Sequence, residues 1–203
     1  MDTIRHLYRI GHGPSSSHTM APRKAAEMFK ERFPEADHYK VALYGSLAAT
    51  GKGHLTDVAI YEVLGKEKTE ILWMADYVPT FHPNGMEFSA WDSDENLLDQ
   101  WMVYSVGGGA LSEGPDDTEI GDYYPLRNMT DIMQYLKKTG KSYWEYVEEC
   151  EGKEIWDYLR EVLHAMYEAI ERGLTNEGVI PGGLNISRKA PIYLRRGKLM
   201  NPT

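Results

Sequence analysis

Apolar residues recur at helical spacing from Thr19 to Phe33. Ala21, Ala25, Met28, Phe29 and Phe33 share one face there, and Pro22 suits a first turn. Alternation takes over in YKVALY, Tyr39 to Tyr44, which reads as a strand. The stretch GSLAATGKGH then breaks both periods with three glycines. Leu55 to Leu64 returns to a helical period, with Leu55, Val58, Ala59 and Val63 on one side and Gly65 closing it. Strands are expected at Met86 to Trp91 and at Trp101 to Val106, the second running into Gly107-Gly108-Gly109. From Met129 onward the period is helical only. Asp131 to Lys138 ends at Gly140, and Ser142 with Glu145 three residues later is a capping-box signature. The longest helix is expected from Glu154 to Arg172. Ile155, Leu159, Val162, Leu163, Met166 and Ile170 form its stripe, and Gly173 is its stop.

This pattern gives an α/β (α+β) module over residues 1–127, a helical segment over 128–173 and a connector over 174–203, with no internal repeat. The connector is rich in Pro and Gly and lacks a clean period. After Glu177 it carries Arg188, Lys189, Arg195, Arg196 and Lys198 and no acid. The chain as a whole is acidic, with a net charge of −9, which argues against nucleic acid as its main partner. At 203 residues it can bury one good-sized core. No stretch approaches the ~18 apolar residues of a membrane helix, and the N-terminus lacks the apolar core of a signal peptide. Cys150 is the single cysteine, so the chain makes no internal disulfide and no cysteine-based metal site of its own. These features point to the cytoplasm and to no membrane partner.

Several short stretches carry candidate chemistry. GPSSSHT, Gly13 to Thr19, precedes the first helix. Ser15, Ser16, Ser17 and Thr19 would add hydroxyl donors to the unpaired N–H groups of a helix N-terminus, which makes a cradle for a carboxylate or phosphate. A plain solvent-exposed N-cap explains the same residues. YGSLAATGKGHLTD, Tyr44 to Asp57, puts a Gly-rich loop after a strand and His54 where the next helix starts, without the Walker spacing. A neutral imidazole there could act as a base, with Asp57 holding the ring; a capping histidine on a surface loop is the other reading. FHPNGM places His82 in a turn built by Pro83, Asn84 and Gly85. YSVGGG, Tyr104 to Gly109, allows close backbone approach to a ligand or a bare hairpin. His6, His12, His38 and His164 show no partner pattern.

Taken with TNEGVIPGGLNISRKA, Thr175 to Ala190, these motifs in this order resemble the iron–sulfur-dependent bacterial L-serine dehydratases, from about Arg9 to Ala190. The resemblance implies conversion of L-serine to pyruvate and ammonia without pyridoxal phosphate. A [4Fe–4S] cluster, held by cysteines of a larger helical catalytic domain, would act as Lewis acid on the serine hydroxyl, and a base would remove the α-proton. The domain seen here would be the smaller one, similar to the allosteric substrate-binding domain of phosphoglycerate dehydrogenase. It would pack against a catalytic (alpha) domain or subunit, with a homodimer also compatible. On this reading His54 is the first candidate base and His82 the second. Ser46 and Lys52 orient the loop or the substrate, and Ser15, Ser16, Ser17, His18, Thr19, Asn84 and Gly85 bind substrate. Two departures stand out. The connection from Asp57 to His82 is shorter than in the family, and Cys150 matches none of the cluster cysteines, so the sequence reads as an N-terminal piece of a longer enzyme or a subunit awaiting one. The competing expectation is a non-catalytic regulatory module that binds serine or another small anion.

Overall fold

The structure, a computed structural model, describes residues 2–117, 121, 123–181 and 185–200. It is α+β and divides into two compact units, Gly11–Glu119 and a second formed by Met1–Ile10 with Ile120–Thr203.

In the first unit a π-helical turn, Ser16–Met20, runs without a break into α1, Ala21–Arg32. β1 (His38–Tyr44) leads into α2 (Gly45–Thr50), a 3-10 turn at Gly51–His54 and α3 (Thr56–Leu64). β2 (Thr69–Met74), β3 (Gly85–Trp91), β4 (Leu97–Gly107) and β5 (Ala110–Ser112) complete a five-stranded sheet in the order β2-β1-β3-β4-β5. β1 and β2 are parallel and the other pairs antiparallel. Register explains the core. Val41, Phe88 and Trp101 align across three strands, as do Leu43, Met86 and Val103, and both rows are buried. α1 covers these rows with Ala25, Ala26 and Phe29. The small alanines let it approach closely, and the Phe29 ring stacks 6.1 Å from that of Trp101.

Three expectations are corrected here. GSLAATGKGH is not a structureless break, because Leu47 and Ala48 bury the inner face of α2 despite the flanking glycines. α3 turns Ala59, Ile60, Val63 and Leu64 inward, whereas Val58 is exposed. Leu55, in the left-handed conformation with φ 58°, rotates the helix relative to a continuous period through His54. The sequence also passes over β2, a short strand next to β1 at the edge of the sheet.

In the second unit α4 (Met129–Thr139) is capped by Asn128, whose side chain accepts from the Asp131 N–H. α5 (Tyr143–Glu151) opens with the Ser142–Glu145 capping box. Tyr124, Ile132, Leu136 and Tyr146 form its small core. Buried Glu151 ties the N-terminal residues to it, accepting from the Thr3 hydroxyl at 2.6 Å, the Ile4 N–H at 2.8 Å and the Tyr124 hydroxyl at 2.8 Å. Burial, then the bond to Glu151, drives the Tyr124 pKa far upward. α6 (Ile155–Thr175) runs through Gly173, and only Ile155 on it is buried. The stretch read as a connector holds α7 (Ala190–Met200). Pro191 falls in its first turn, where a missing N–H breaks no helical bond, and α7 packs on α6.

Candidate active site

The ends of three strands coincide at one edge of the sheet: the C-terminus of β1, the start of β3 and the C-terminus of β4. The turn Ser16–Met20 packs against β4 and α3. This topology brings together motifs that are far apart in sequence.

His18 sits at the centre. Its ring nitrogens meet the Ser17 hydroxyl at 2.9 Å and the Ser46 hydroxyl at 3.3 Å, and its ring centroid lies 4.7 Å from that of His54. The backbone is fixed from both sides. Thr19 donates its hydroxyl to the His54 carbonyl at 2.8 Å, and buried Thr56 donates to the His18 carbonyl. Burial is the main force lowering the His18 pKa, the charge of a protonated His54 adds to it, and the contact with Ser46 opposes both. His18 is therefore a neutral imidazole near pH 7.

The cradle residues divide their work. Ser15 caps the turn, accepting from the His18 N–H at 3.2 Å, while its own N–H donates to Thr19 Oγ1. Its carbonyl takes both the Thr19 and Met20 N–H groups, which is the π-type widening of the first turn. Ser16 stands exposed on that turn. The N–H groups of Ser16 and Ser17 have no acceptor inside the helix and carry its positive end.

His54 is not held by Asp57, whose carboxylate instead accepts from the Val58 N–H. The Thr50 carbonyl lies 3.0 Å from His54 Nδ1. A carbonyl only accepts, so Nδ1 bears the proton and the neutral ring presents its lone pair at Nε2. His82 is the mirror case. Its Nδ1 accepts from the Asn84 N–H at 3.2 Å, so a neutral His82 carries its proton on Nε2. The His82–Asn84 turn reaches the cluster because Gly45 has no side chain. A Cβ there would lie 2.5 Å from the Pro83 carbonyl oxygen, and Gly45 has φ +48°. Gly85 pairs with Tyr104 in the sheet. Lys52 stays apart, its Nζ placed over the Trp73 ring at 5.4 Å. Elsewhere, His6 and His164 each meet a carboxylate one helical turn away, Asp2 and Glu168.

Sequence reasoning passed over Gly45, Thr50, Thr56 and Ser105. For Ser105 a signal existed: Trp101, Val103 and Ser105 share the inward parity of β4, and a polar residue at that parity marks an edge of the core.

The family model described as the serine dehydratase beta chain matches residues 3–70 and 61–115, together more than half of the chain. The chain belongs to this family. Its two matched pieces overlap at residues 61–70, within the short Asp57–His82 connection. The chain is 30% identical to L-serine dehydratase 1 of Escherichia coli (strain K12) over 96% of its own length and 54% of that protein. It is 31% identical to L-serine dehydratase TdcG of the same organism, over 94% of the chain and 53% of that protein. It is 30% identical to the L-serine dehydratase of Streptomyces coelicolor, again over 94% of the chain and 53% of that protein. The chain thus spans about half the length of these curated relatives. The alignment with the first runs over 248 residues, more than the 203 present, so that relative carries residues this family member lacks. Among the described residues, no helix is long and apolar enough to cross a membrane.

Proposed function

We propose that the chain is the substrate-binding and proton-abstracting part of an L-serine dehydratase, which converts L-serine to pyruvate and ammonia. The observation that carries this reading is the opposite protonation of two histidines at one sheet edge. His54 offers a lone pair at Nε2 and His82 an N–H at Nε2. His54 is therefore the base for the α-proton and His82 a donor. His18, kept neutral, braces the His54 ring and the Ser46 loop without adding a second charge. The positive helix end at Ser16 and Ser17 takes the substrate carboxylate. The likeness to the allosteric domain of phosphoglycerate dehydrogenase belongs to the same proposal and is compatible with the mixed sheet covered by α1 and α3.

A [4Fe–4S] cluster, when bound, supplies a Lewis acid. This chain does not fit that group: Cys150 is its only cysteine, and burial pushes the thiol pKa up, away from the thiolate a metal needs. The cluster is assigned to a catalytic portion such as the other half of the relatives' length. The exposed stripe of α6 supports such a partner. Leu163, Met166, Tyr167 and Ile170 are each about half exposed, a surface that a second apolar surface covers.

The test is His54→Ala against His82→Ala in the complete, cluster-loaded enzyme. Loss of a general base lowers kcat by ~10²–10⁴-fold. If His54→Ala keeps kcat and only weakens serine binding, the chain is a regulatory sensor instead.

A further inference from the structure

The inner face of the sheet is apolar in two successive rows, Val41–Phe88–Trp101 and Leu43–Met86–Val103. The next row along β3 and β4 is Asn84 and Ser105. The Ser105 N–H donates to the Asn84 carbonyl at 2.9 Å, and the Asn84 side-chain NH₂ faces the Ser105 carbonyl at 3.5 Å. Ser105 has no exposed surface at all. Its hydroxyl and Asn84 Oδ1 are both buried and have no hydrogen-bond partner among the described residues. The amide orientation is not arbitrary, because turning it would set two oxygens against each other. An unpaired acceptor and an unpaired hydroxyl thus end an otherwise dry face. They lie where the His18-bearing turn packs on β4 and next to the turn that presents His82.

Buried polar groups are normally paired, and a pair of orphans at a site's edge points to something outside the fold. Oδ1 can only accept, so the group it meets must be a donor, which excludes a carboxylate. We infer that Asn84 Oδ1 and Ser105 Oγ form the subsite for the protonated α-amino group of the substrate. This rests on the L-serine reading above. The carboxylate then faces the helix end at Ser16 and Ser17, and the ammonium donates to Oδ1 and Oγ. Carboxylate and ammonium held at two points leave the hydroxymethyl group and the α-proton, and on this reading the proton is the one offered to His54. Ser105 becomes a specificity residue for amino acids over the corresponding hydroxy acids.

Steady-state kinetics of the complete, cluster-loaded enzyme, giving KM for L-serine and the inhibition constant of 3-hydroxypropionate, which lacks the amino group, test this. The wild type should prefer L-serine, and Ser105→Ala should cut that preference about tenfold or more while 3-hydroxypropionate binds as before. Because the hydroxyl is an orphan without ligand, Ser105→Ala should also raise the melting midpoint by about 2 °C or more. An unchanged preference in Ser105→Ala, or equal weakening of both ligands, overturns the subsite while the serine reading stands. A lowered midpoint with the preference intact shows a hydroxyl satisfied within the fold, by a buried water, and also overturns it. If neither ligand binds the wild type, the serine reading falls and takes the subsite with it.

Discussion

The α/β unit and the helical unit solve the burial problem differently. The first closes its core with its own rows: Val41, Leu43, Met86, Phe88 and Val103 are fully buried under Phe29 and its alanines. Among the described residues the second gathers Tyr124, Ile132, Leu136 and Tyr146 into a small core and buries Glu151 beside it, bonded to Tyr124. Its longest helix has a good apolar period, yet only Ile155 on it is buried among the described residues. A period states which residues share a face. Whether that face is covered depends on what else is present.

The sharpest way to break this comparison is to cut each unit at its apolar centre. Phe29→Ala should lower stability by about 3–5 kcal/mol, since it opens a cavity against Phe88 and Trp101 in a rigid sheet. Met166→Ser on α6 should change stability by less than about 0.5 kcal/mol, because its side chain is already half exposed. Urea unfolding of both variants decides the matter. Similar losses would mean that the α6 stripe is as well packed as the α/β core. With the catalytic portion present, Met166→Ser should instead weaken association.

The next effect in size concerns the polar centre of the helical unit. Glu151 takes three donors, from Thr3, Ile4 and Tyr124, with two oxygens. Glu151→Gln keeps the shape but replaces one acceptor oxygen by an NH₂, which either faces the Ile4 N–H, a group that can only donate, or forces the Thr3 hydroxyl to turn from donor to acceptor. We expect a loss of about 1–3 kcal/mol and early release of the N-terminal residues, read as faster amide exchange at Ile4. Unchanged exchange at Ile4 would show that the N-terminal residues are held by other contacts, such as those of the Tyr158 hydroxyl with the Arg5 and Tyr8 carbonyls.

Much of the fold was legible for the reason this comparison gives. Alternation in YKVALY and helical spacing from Thr19 report on burial that the α/β unit completes by itself. Legibility failed where local composition opposed tertiary packing. Three glycines obscured α2, and Pro and Gly obscured α7. The motif residues meet at one edge of the sheet, where the structure brings Ser15, Ser17, His18, Thr19, Ser46 and His54 into one bonded group. Partnerships were less visible. Thr50 rather than Asp57 meets the His54 ring, and Lys52 lies over Trp73, because both depend on how the 3-10 turn at Gly51–His54 is wound. A sequence without coordinates gives no access to that winding.

The smallest expected effect separates the site edge from the core beneath it. Burial, then the nearby His54, holds the His18 pKa in the folded chain below its ordinary value of 6.5. The unfolded chain therefore takes up this proton at a higher pH than the folded chain does. Between the two values the unfolded state binds more protons, so stability rises with pH across that window. The contribution is complete above about pH 6.5 and is lost as pH falls through the window to the lower, folded value. His18→Gln removes the titrating group but keeps a polar side chain beside Ser46. Urea midpoints measured from pH 8 down to pH 5 should then fall less steeply for His18→Gln than for the wild type. Parallel curves would mean that His18 gains its proton as easily folded as unfolded. His54 would then face a charged neighbour rather than a neutral one, and its place as the base would have to be argued against that repulsion.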